Sequence, residues 1–405
     1  MSITARFRAA AALGFLAATA FDAAGDDWPQ WRGPNRDGIS KEKGWSAEWP
    51  GNGPKRLWEA NLGEGCSSIS VAEGRAYTMG FKADADHVYC LDAATGKVIW
   101  EAAYPATLDP KMFEGGPTST PVVSDGLVYT VSRAGDLHCF DAATGKKIWA
   151  TSWRKEFMAK PPDWGYAGSP LILKDWLIAE PGAHGASIVA YDRKTGRLAW
   201  KSGDFAAAYS SPITLERAGR TCLATFNQHG LCLWEAADGR PIWDMRWKTS
   251  YDVNAATPIH DAGRIFISSG YGSGCALVDV AKDPPSVAWQ NKDMRNKHNV
   301  CVLWEGHLFG FDETDLVCME FATGIPRWKE RGLGRGALML ADGQLIIQAE
   351  RGELVIARAS PQRFERIASA RAVGERAWVM PVLANGRIYC RSNRGSVACL
   401  DVAGP

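Results

Sequence analysis

Several kinds of chemistry are missing from this chain. Its seven histidines are dispersed, with no H-E-x-x-H and no closely spaced pair that would mark a metal site. There is no G-x-S-x-G nucleophile elbow, no phosphate-binding loop and no C-x-x-C-H haem attachment. Nor is there an excess of charge: 46 basic side chains face 45 acidic ones, so nothing argues electrostatically for nucleic acid or an anionic membrane as partner. Beyond Phe21 no stretch is long and apolar enough to span a bilayer. Ten cysteines are present, yet no two are adjacent.

Tryptophan, by contrast, is abundant, with 18 copies, and 46% of the residues are hydrophobic, enough for a packed core. At the N-terminus Arg6 and Arg8 precede an apolar run from Ala9 to Phe21, and Ala18-Thr19-Ala20 offers a small-x-small cleavage site. We read residues 1–20 as a signal peptide, with cleavage as late as residue 24, and expect export to the periplasm or the medium. No cysteine lies near that site, which argues against a lipid-anchored lipoprotein. Residues 21–54 read as an extension packed on the body. Its Trp28-Pro29-Gln30-Trp31-Arg32-Gly33-Pro34 stretch is too punctuated for helix or long strand, and its two tryptophans need cover.

The chain repeats one phrase. It reads CLDAATGKVIW at Cys90–Trp100, CFDAATGKKIW at Cys139–Trp149, AYDRKTGRLAW at Ala190–Trp200 and LWEAADGRPIW at Leu233–Trp243. Worn copies close at Trp289 and Trp328. These tryptophans fall roughly 39–51 residues apart, the period of a four-stranded propeller blade. Between copies the pattern is that of antiparallel hairpins: a small polar residue, a short apolar strand, a tight turn such as Ser124-Asp125-Gly126, then further alternating strands. First strands begin near Ser68, Thr120, Ser169, Ser211, Thr257, Val300, Ala337 and Met380, which makes eight units. The last, Met380–Val402, lacks a closing phrase, whereas Arg56–Ala60 is a fourth strand without a blade. Pairing the two predicts an all-β, eight-bladed propeller over residues 55–405, monomeric, its ring shut by the N-terminal strand.

Within the phrase, Asp92 and Thr95 can bond local backbone N–H groups, Gly96 permits positive φ, and Trp100 presents a flat face to the next blade. The same docking roles fall to Asp141, Thr144, Gly145 and Trp149, and to Asp192, Thr195, Gly196 and Trp200. Gly239 with Trp243 and Gly324 with Trp328 keep the pattern in part. The phrase resembles the tryptophan-docking repeat A-x-D-x-x-T-G-K-x-x-W of quinoprotein alcohol dehydrogenases and of BamB-type outer-membrane assembly propellers. The resemblance covers nearly the whole chain from Lys55 and speaks for fold more than for activity. The dehydrogenase branch would imply pyrroloquinoline quinone (PQQ), a Ca²⁺ held by carboxylate and amide oxygens, an aspartate base and a disulfide between adjacent cysteines. The last is missing here, and oxygen ligands are scattered: Glu114, Asp252, Asn254 and Asn299. No cofactor and no metal are expected. PQQ with Ca²⁺ belongs to the alternative reading.

Cys90, Cys139, Cys318 and Cys399 stand in the alanine slot of the repeat and read as small core residues. If Arg394-Gly395 is a two-residue turn, Cys390 faces Cys399 across a hairpin, and the pair is either a disulfide or two reduced thiols. The turns of one rim are short and generic. The other rim carries the long outer-to-inner-strand connections, where binding residues gather on a rigid scaffold. There we place a ligand-binding face made of Glu114, Trp164, Tyr166, Tyr209, Tyr251, Asp252, Asn254, His298, Arg335 and Trp378. The reading is a non-catalytic scaffold that holds a protein partner or a small ligand on this face. The alternatives are a compact PQQ-dependent alcohol or sugar dehydrogenase, and a carbohydrate-binding propeller that stacks sugars on Trp164, Tyr209 and Trp378.

Overall fold

The computed structural model describes residues 26–111 and 113–404, so the signal peptide read over residues 1–20 lies outside the described residues. Eight antiparallel sheets follow one another along the chain, each of four strands, one carrying a fifth. The first blade is Ser70–Ala72, Arg75–Lys82, Ala85–Asp92 and Val98–Pro105, from the inner strand outward. The eighth is Val382–Ala384, Arg387–Arg391 and Ser396–Asp401, completed on its outside by Lys55–Asn61. Ring closure by the N-terminal strand is therefore a backbone ladder, with Glu59 opposite Ala398 and Asn61 opposite Ser396. Radial repetition leaves only short, protected strand edges.

The repeated phrase acts where blades meet. Trp100 pairs with Cys90, Trp149 with Cys139, Trp200 with Ala190, and Trp328 with Cys318, so the slot residue always sits beneath the indole. Trp58 completes the series in the closing strand, opposite Cys399. Each indole then reaches the next blade's turn, through its N–H except at Trp200, whose ring lies on Gly239 while its N–H has no partner. The Trp58 N–H donates to the Ala93 carbonyl at 3.0 Å, Trp100 to Ala142 at 2.9 Å, and Trp149 to Arg193 at 3.1 Å. The ring lies flat on the turn glycine. A β-carbon on Gly96, whose φ is +69°, would come 2.5 Å from Trp58, and one on Gly145 would come 2.6 Å from Trp100. The turn itself is tied by its own side chains: Asp92 Oδ1 accepts from the Thr95 N–H and Oγ1, both at 2.8 Å.

Blade 7, from Ala337 to Arg371, has no such tryptophan: Ile356 pairs with Ala368. The N-terminal extension makes up the deficit. Trp45 and Ala47 join the cluster that contains Ile346 and Ile356 of blade 7 and Leu383 and Ile388 of blade 8, with Trp49 packed against it. The Glu42 carboxylate caps the backbone N–H groups of Asn385 and Gly386.

Ahead of this, the chain crosses the bore. Trp28 forms a bridge with Val71 of blade 1, and the Val123 N–H of blade 2 donates to Pro29. Ile39–Ser40 runs parallel to Leu340–Ala341 of blade 7. Two fully enclosed arginines pin the strap from opposite sides. Arg32 donates to the Cys301 carbonyl at 3.0 Å, and Arg36 to Pro170 at 3.0 Å. Burial lowers both guanidinium pKa values, to about 10 and about 9; carbonyl oxygens accept from all three nitrogens of Arg32, whereas Arg36 Nε is buried without a partner.

One expectation is overturned. Cys390 pairs with Ala398, and Tyr389 with Cys399, and both cysteines are free thiols. The hairpin loop is Asn393-Arg394-Gly395, three residues with Gly395 at φ +99°, and not the two-residue turn assumed. A one-residue change of register puts the two side chains on opposite faces of the blade.

Two measurements check this architecture. Trp58→Ala is expected to lower unfolding free energy in urea by about 3–5 kcal/mol, the range for large aromatic deletions. Ile99→Ala, at a side chain 45% exposed on an outer strand, serves as a control within about 0.5 kcal/mol of wild type. Alkylation under denaturing, non-reducing conditions should label all ten cysteines, and reductant should leave Tm unchanged.

Candidate functional site

Because each blade's outer strand climbs back to the same rim before the next inner strand begins, all eight inter-blade connections converge on one end of the bore. Residues from every one of them line a cavity of about 330 Å³ there. The strap supplies its floor: Trp31 lines the cavity, and its indole N–H donates to Thr257 Oγ1 at 3.1 Å.

The wall just above the floor is a ring of hydroxyls at the starts of the inner strands. Here the recurrent Ser or Thr has a structural reason. The Ser68 N–H donates to Thr120 Oγ1 at 3.1 Å, the Thr120 N–H to Ser169 Oγ at 2.9 Å, and the Ser169 N–H to Ser211 Oγ at 2.9 Å. Successive blades are thus laced together around the bore. Thr120, Ser169, Ser211 and Thr257 also line the cavity, where they add polar atoms without charge.

Aromatic and cationic side chains form the upper wall. Trp164 and Tyr209 stand 6.0 Å apart, centroid to centroid. His298 stacks on Trp378 at 4.5 Å and 21°. The Arg376 guanidinium lies 4.7 Å from the Trp378 ring, and Lys297 Nζ lies 4.3 Å from that of Tyr271. Lys111 and Arg335 bring the cations to four, and no aspartate or glutamate lines the cavity among the described residues. The balancing carboxylates stand behind. Glu114 accepts from Arg376 Nε at 3.0 Å and Nη2 at 2.6 Å, and Glu350 accepts from the Trp378 indole at 2.9 Å. The Glu114 carboxyl, although raised by burial, is held below its usual range by Arg376 and Asn393. Burial, with the charges of Lys297, Arg335 and Arg376, pushes the His298 imidazole down to about 3, so it is neutral at physiological pH. Cys66 also faces the cavity, and burial pushes its thiol up to about 12, which keeps it protonated and a poor nucleophile.

Of the ten residues expected on this face, Trp164, Tyr209, His298, Arg335 and Trp378 line the cavity. Tyr251 stands at the rim, 67% exposed, with its edge toward Trp164, and Asp252 is paired with Lys248 beside it. Glu114 belongs to the supporting layer. Two expectations are corrected. Tyr166 is a core residue, its hydroxyl donating to Pro181 at 2.6 Å and its ring packed edge-on against Trp153. Asn254 is fully buried, donating to Asn227 at 2.8 Å and accepting from Ser269 at 2.7 Å, so it holds loops together and offers nothing to a ligand. Missed by sequence reasoning were Trp31, Lys297, Tyr271 and the hydroxyl ring. Tyr271 sits in a turn between two middle strands, which also reach this rim; the hydroxyls carried a signal, their recurrence at the first five of the eight inner-strand starts.

The donor set limits what can be held. A hard divalent cation needs several convergent oxygens, usually including carboxylates. Here only hydroxyl and amide oxygens face the cavity, four cations oppose a fifth, and no cluster of three His, Cys, Asp or Glu able to hold a metal occurs among the described residues. The arrangement of PQQ with Ca²⁺ and a carboxylate base therefore does not fit these residues.

No helix of the described residues is long and apolar enough to cross a membrane. A search of curated proteins finds no match. Among solved structures, BamB from Moraxella catarrhalis superposes with a TM-score of 0.63 at 18% identity, over 86% of this chain and 97% of that one. The quinohemoprotein alcohol dehydrogenase ADHIIG from Pseudomonas putida HK5 gives 0.69 at 13% identity, over 94% and 80%. The corresponding enzyme from Comamonas testosteroni gives 0.53 at 14%, over 94% and 81%. Likeness at such identity speaks for the shared propeller alone. The family described as "Outer membrane protein assembly factor BamB" matches residues 42–113 and 85–330, more than half of the sequence, and with the docking tryptophans and the eight blades already in place the chain belongs to this BamB-like family of PQQ-type repeat propellers.

Proposed function

We propose that this protein is an exported, non-catalytic propeller that binds a protein partner or another ligand through its loop face. The observation that carries the reading is the blind cavity at that face. It joins aromatic surfaces, uncharged hydroxyls and four cations, and no carboxylate lines it among the described residues. On the turn face the strap lies across the bore, paired to blade 1 at Val71 and to blade 7 at Leu340–Ala341. Family membership favours a protein partner, and the apolar run before residue 22 favours export.

The dehydrogenase reading keeps the support of the overlaid alcohol dehydrogenases, but among the described residues no carboxylate lines the cavity and no group of three His, Cys, Asp or Glu could hold a metal. The carbohydrate reading needs free aromatic faces. Trp378 has His298 stacked on it and Arg376 against it, so it is not an open platform.

Two assays on the purified protein test the proposal. With micromolar PQQ, millimolar Ca²⁺ and a redox dye, alcohols and aldoses are expected to give no substrate-dependent dye reduction; sustained turnover would overturn the non-catalytic reading. A photo-crosslinking side chain at Tyr251, on the loop face, is expected to capture a partner in envelope extracts, whereas one at Ile325, on the turn face, should not. Capture from Ile325 alone would remove the loop face from the proposal.

A further inference from the structure

Away from the loop-face cavity, one buried acid is left without a structural task. Glu180 follows the blade 3 strand Trp176–Ala179 and lines a second, much smaller cavity of about 20 Å³. Ser169, Pro170 and Ala179 of blade 3 line it too, with Ala208 and Ser210 from the approach to blade 4. The strap is fastened to the wall of this cavity, since Arg36 donates to the carbonyls of Pro170 at 3.0 Å and Ser169 at 3.4 Å. Two polar atoms are left over. Glu180 Oε1 and Arg36 Nε are both buried without a hydrogen-bond partner. Other buried carboxylates are tied down: Asp312 holds Arg295 and Lys329, and Glu42 caps two backbone N–H groups. An unmatched carboxyl in a dry seam costs stability and asks for another explanation.

Burial pushes the Glu180 carboxyl up to about 8, against the pull of Arg36, so it carries its proton at neutral pH. The cavity has room for about one water molecule, too little to hydrate a carboxylate. No other group facing this seam titrates near neutrality. On the strap, Arg36 is lowered only to about 9 and Arg32 to about 10. Burial raises Tyr166, whose hydroxyl donates to Pro181, well above its ordinary range, and Cys232 of blade 4 to about 12. His184 and His229, nearer the surface, are paired with Asp204 and Asp244.

We propose that Glu180 is a proton-operated latch on the strap: protonated, it lets the strap stay seated in the bore, and when it loses its proton to solvent it favours a released strap. The direction follows from hydration. With the strap seated the carboxyl is dry; with Arg36 withdrawn, water reaches it and it ionises as an ordinary glutamate, near 4.5. The seated state therefore binds a proton that the released state gives up, and this difference in proton affinity is what shifts the equilibrium. Glu180 favours the seated strap fully below pH 4.5, progressively less as pH climbs, and no further change follows above about 8. Arg36 and Arg32 keep their charge across this window. Because Trp31 lies on the same strap and floors the loop-face cavity, release at Arg36 opens that floor. The latch does not depend on what the loop face holds.

Hydrogen exchange on the full mature chain reads the strap directly. The Arg36 and Gly38 N–H groups are bonded within it, to the Gly33 and Arg32 carbonyls. After correction for intrinsic rates, their opening constant is expected to rise by up to about ten-fold per pH unit between pH 5 and pH 8, one proton being released per opening. Amides inside the blade 4 strands Arg220–Phe226 and Gly230–Glu235 should stay level over the same range. Glu180→Gln keeps the shape and cannot ionise. It should abolish the slope and leave the strap as protected at pH 8 as the wild type is at pH 5. Should that variant fail to fold, Glu180→Ala reads the same flattening. Infrared difference spectra between wild type and variant should show the carbonyl stretch of a protonated carboxyl at pH 7, fading by pH 9. A slope that persists in the variant assigns the response to another group, and an equal slope in the blade amides makes it a property of the whole fold. Either result, or a flat wild-type profile, or no carboxyl band at pH 7, would overturn the latch.

Discussion

An indole laid on a glycine, with its N–H on the neighbouring turn's carbonyl, is the contact on which the remainder of this molecule depends. Each such contact joins one blade to the next, as Trp58 does to Gly96 and Ala93, and Trp100 to Gly145 and Ala142. A single indole–carbonyl bond contributes only about 1 kcal/mol net. The flat ring adds its buried area, and eight junctions must all close for any one of them to be in register. The N-terminal strand is therefore decisive beyond its length. By pairing with Ser396–Asp401 it contributes the tryptophan that the last blade lacks, and it turns a row of blades into a ring.

Closure has a consequence for the bore. The chain that enters the ring at Lys55 has already run through it, pinned by Arg32 to blade 6 and by Arg36 to blade 3. A through-channel has become a blind cavity with an aromatic floor. Structure and site are thereby coupled: Trp31 is held by Thr257, whose strand start belongs to the same rim that carries the binding loops. A substitution that loosens the strap acts on the ring's stability and on the cavity floor together.

Fold was legible because it is repeated. Six phrases recurring roughly every 39–51 residues, and a stray Arg56–Ala60 strand matched to a unit short of one, led to eight blades and to the closing pair. What failed was local geometry without repetition. The Asn393-Arg394-Gly395 loop is one residue longer than the turn read from its Arg-Gly, and that residue separates Cys390 from Cys399. The site was half legible for a related reason. Long connections announce themselves, so Trp164, Tyr209, His298, Arg335 and Trp378 were found. Side-chain direction does not, so Tyr166 and Asn254 were included although they point into protein. Trp31 lies more than two hundred residues from Thr257 in sequence, and only the threading of the strap brings them together.

Charge placement ties these threads together. Acidic and basic residues nearly balance over the chain, but the loop face sorts them, with cations toward the cavity and Glu114, Glu350 and Asp109 behind or beside them. His298 reports the resulting potential. Unfolded, its imidazole would take a proton near 6.5; folded, burial and three neighbouring cations delay this to about 3. Above 6.5 both states carry the neutral ring, and it adds no pH dependence. As pH falls from 6.5 toward 3 the unfolded chain binds the proton and the folded one does not, so this residue's contribution turns against the fold on the acid side alone. A neutral ring at this position avoids adding a further positive charge to a cavity already lined by four, and it leaves Lys297 and Arg335 as the groups with charge to offer.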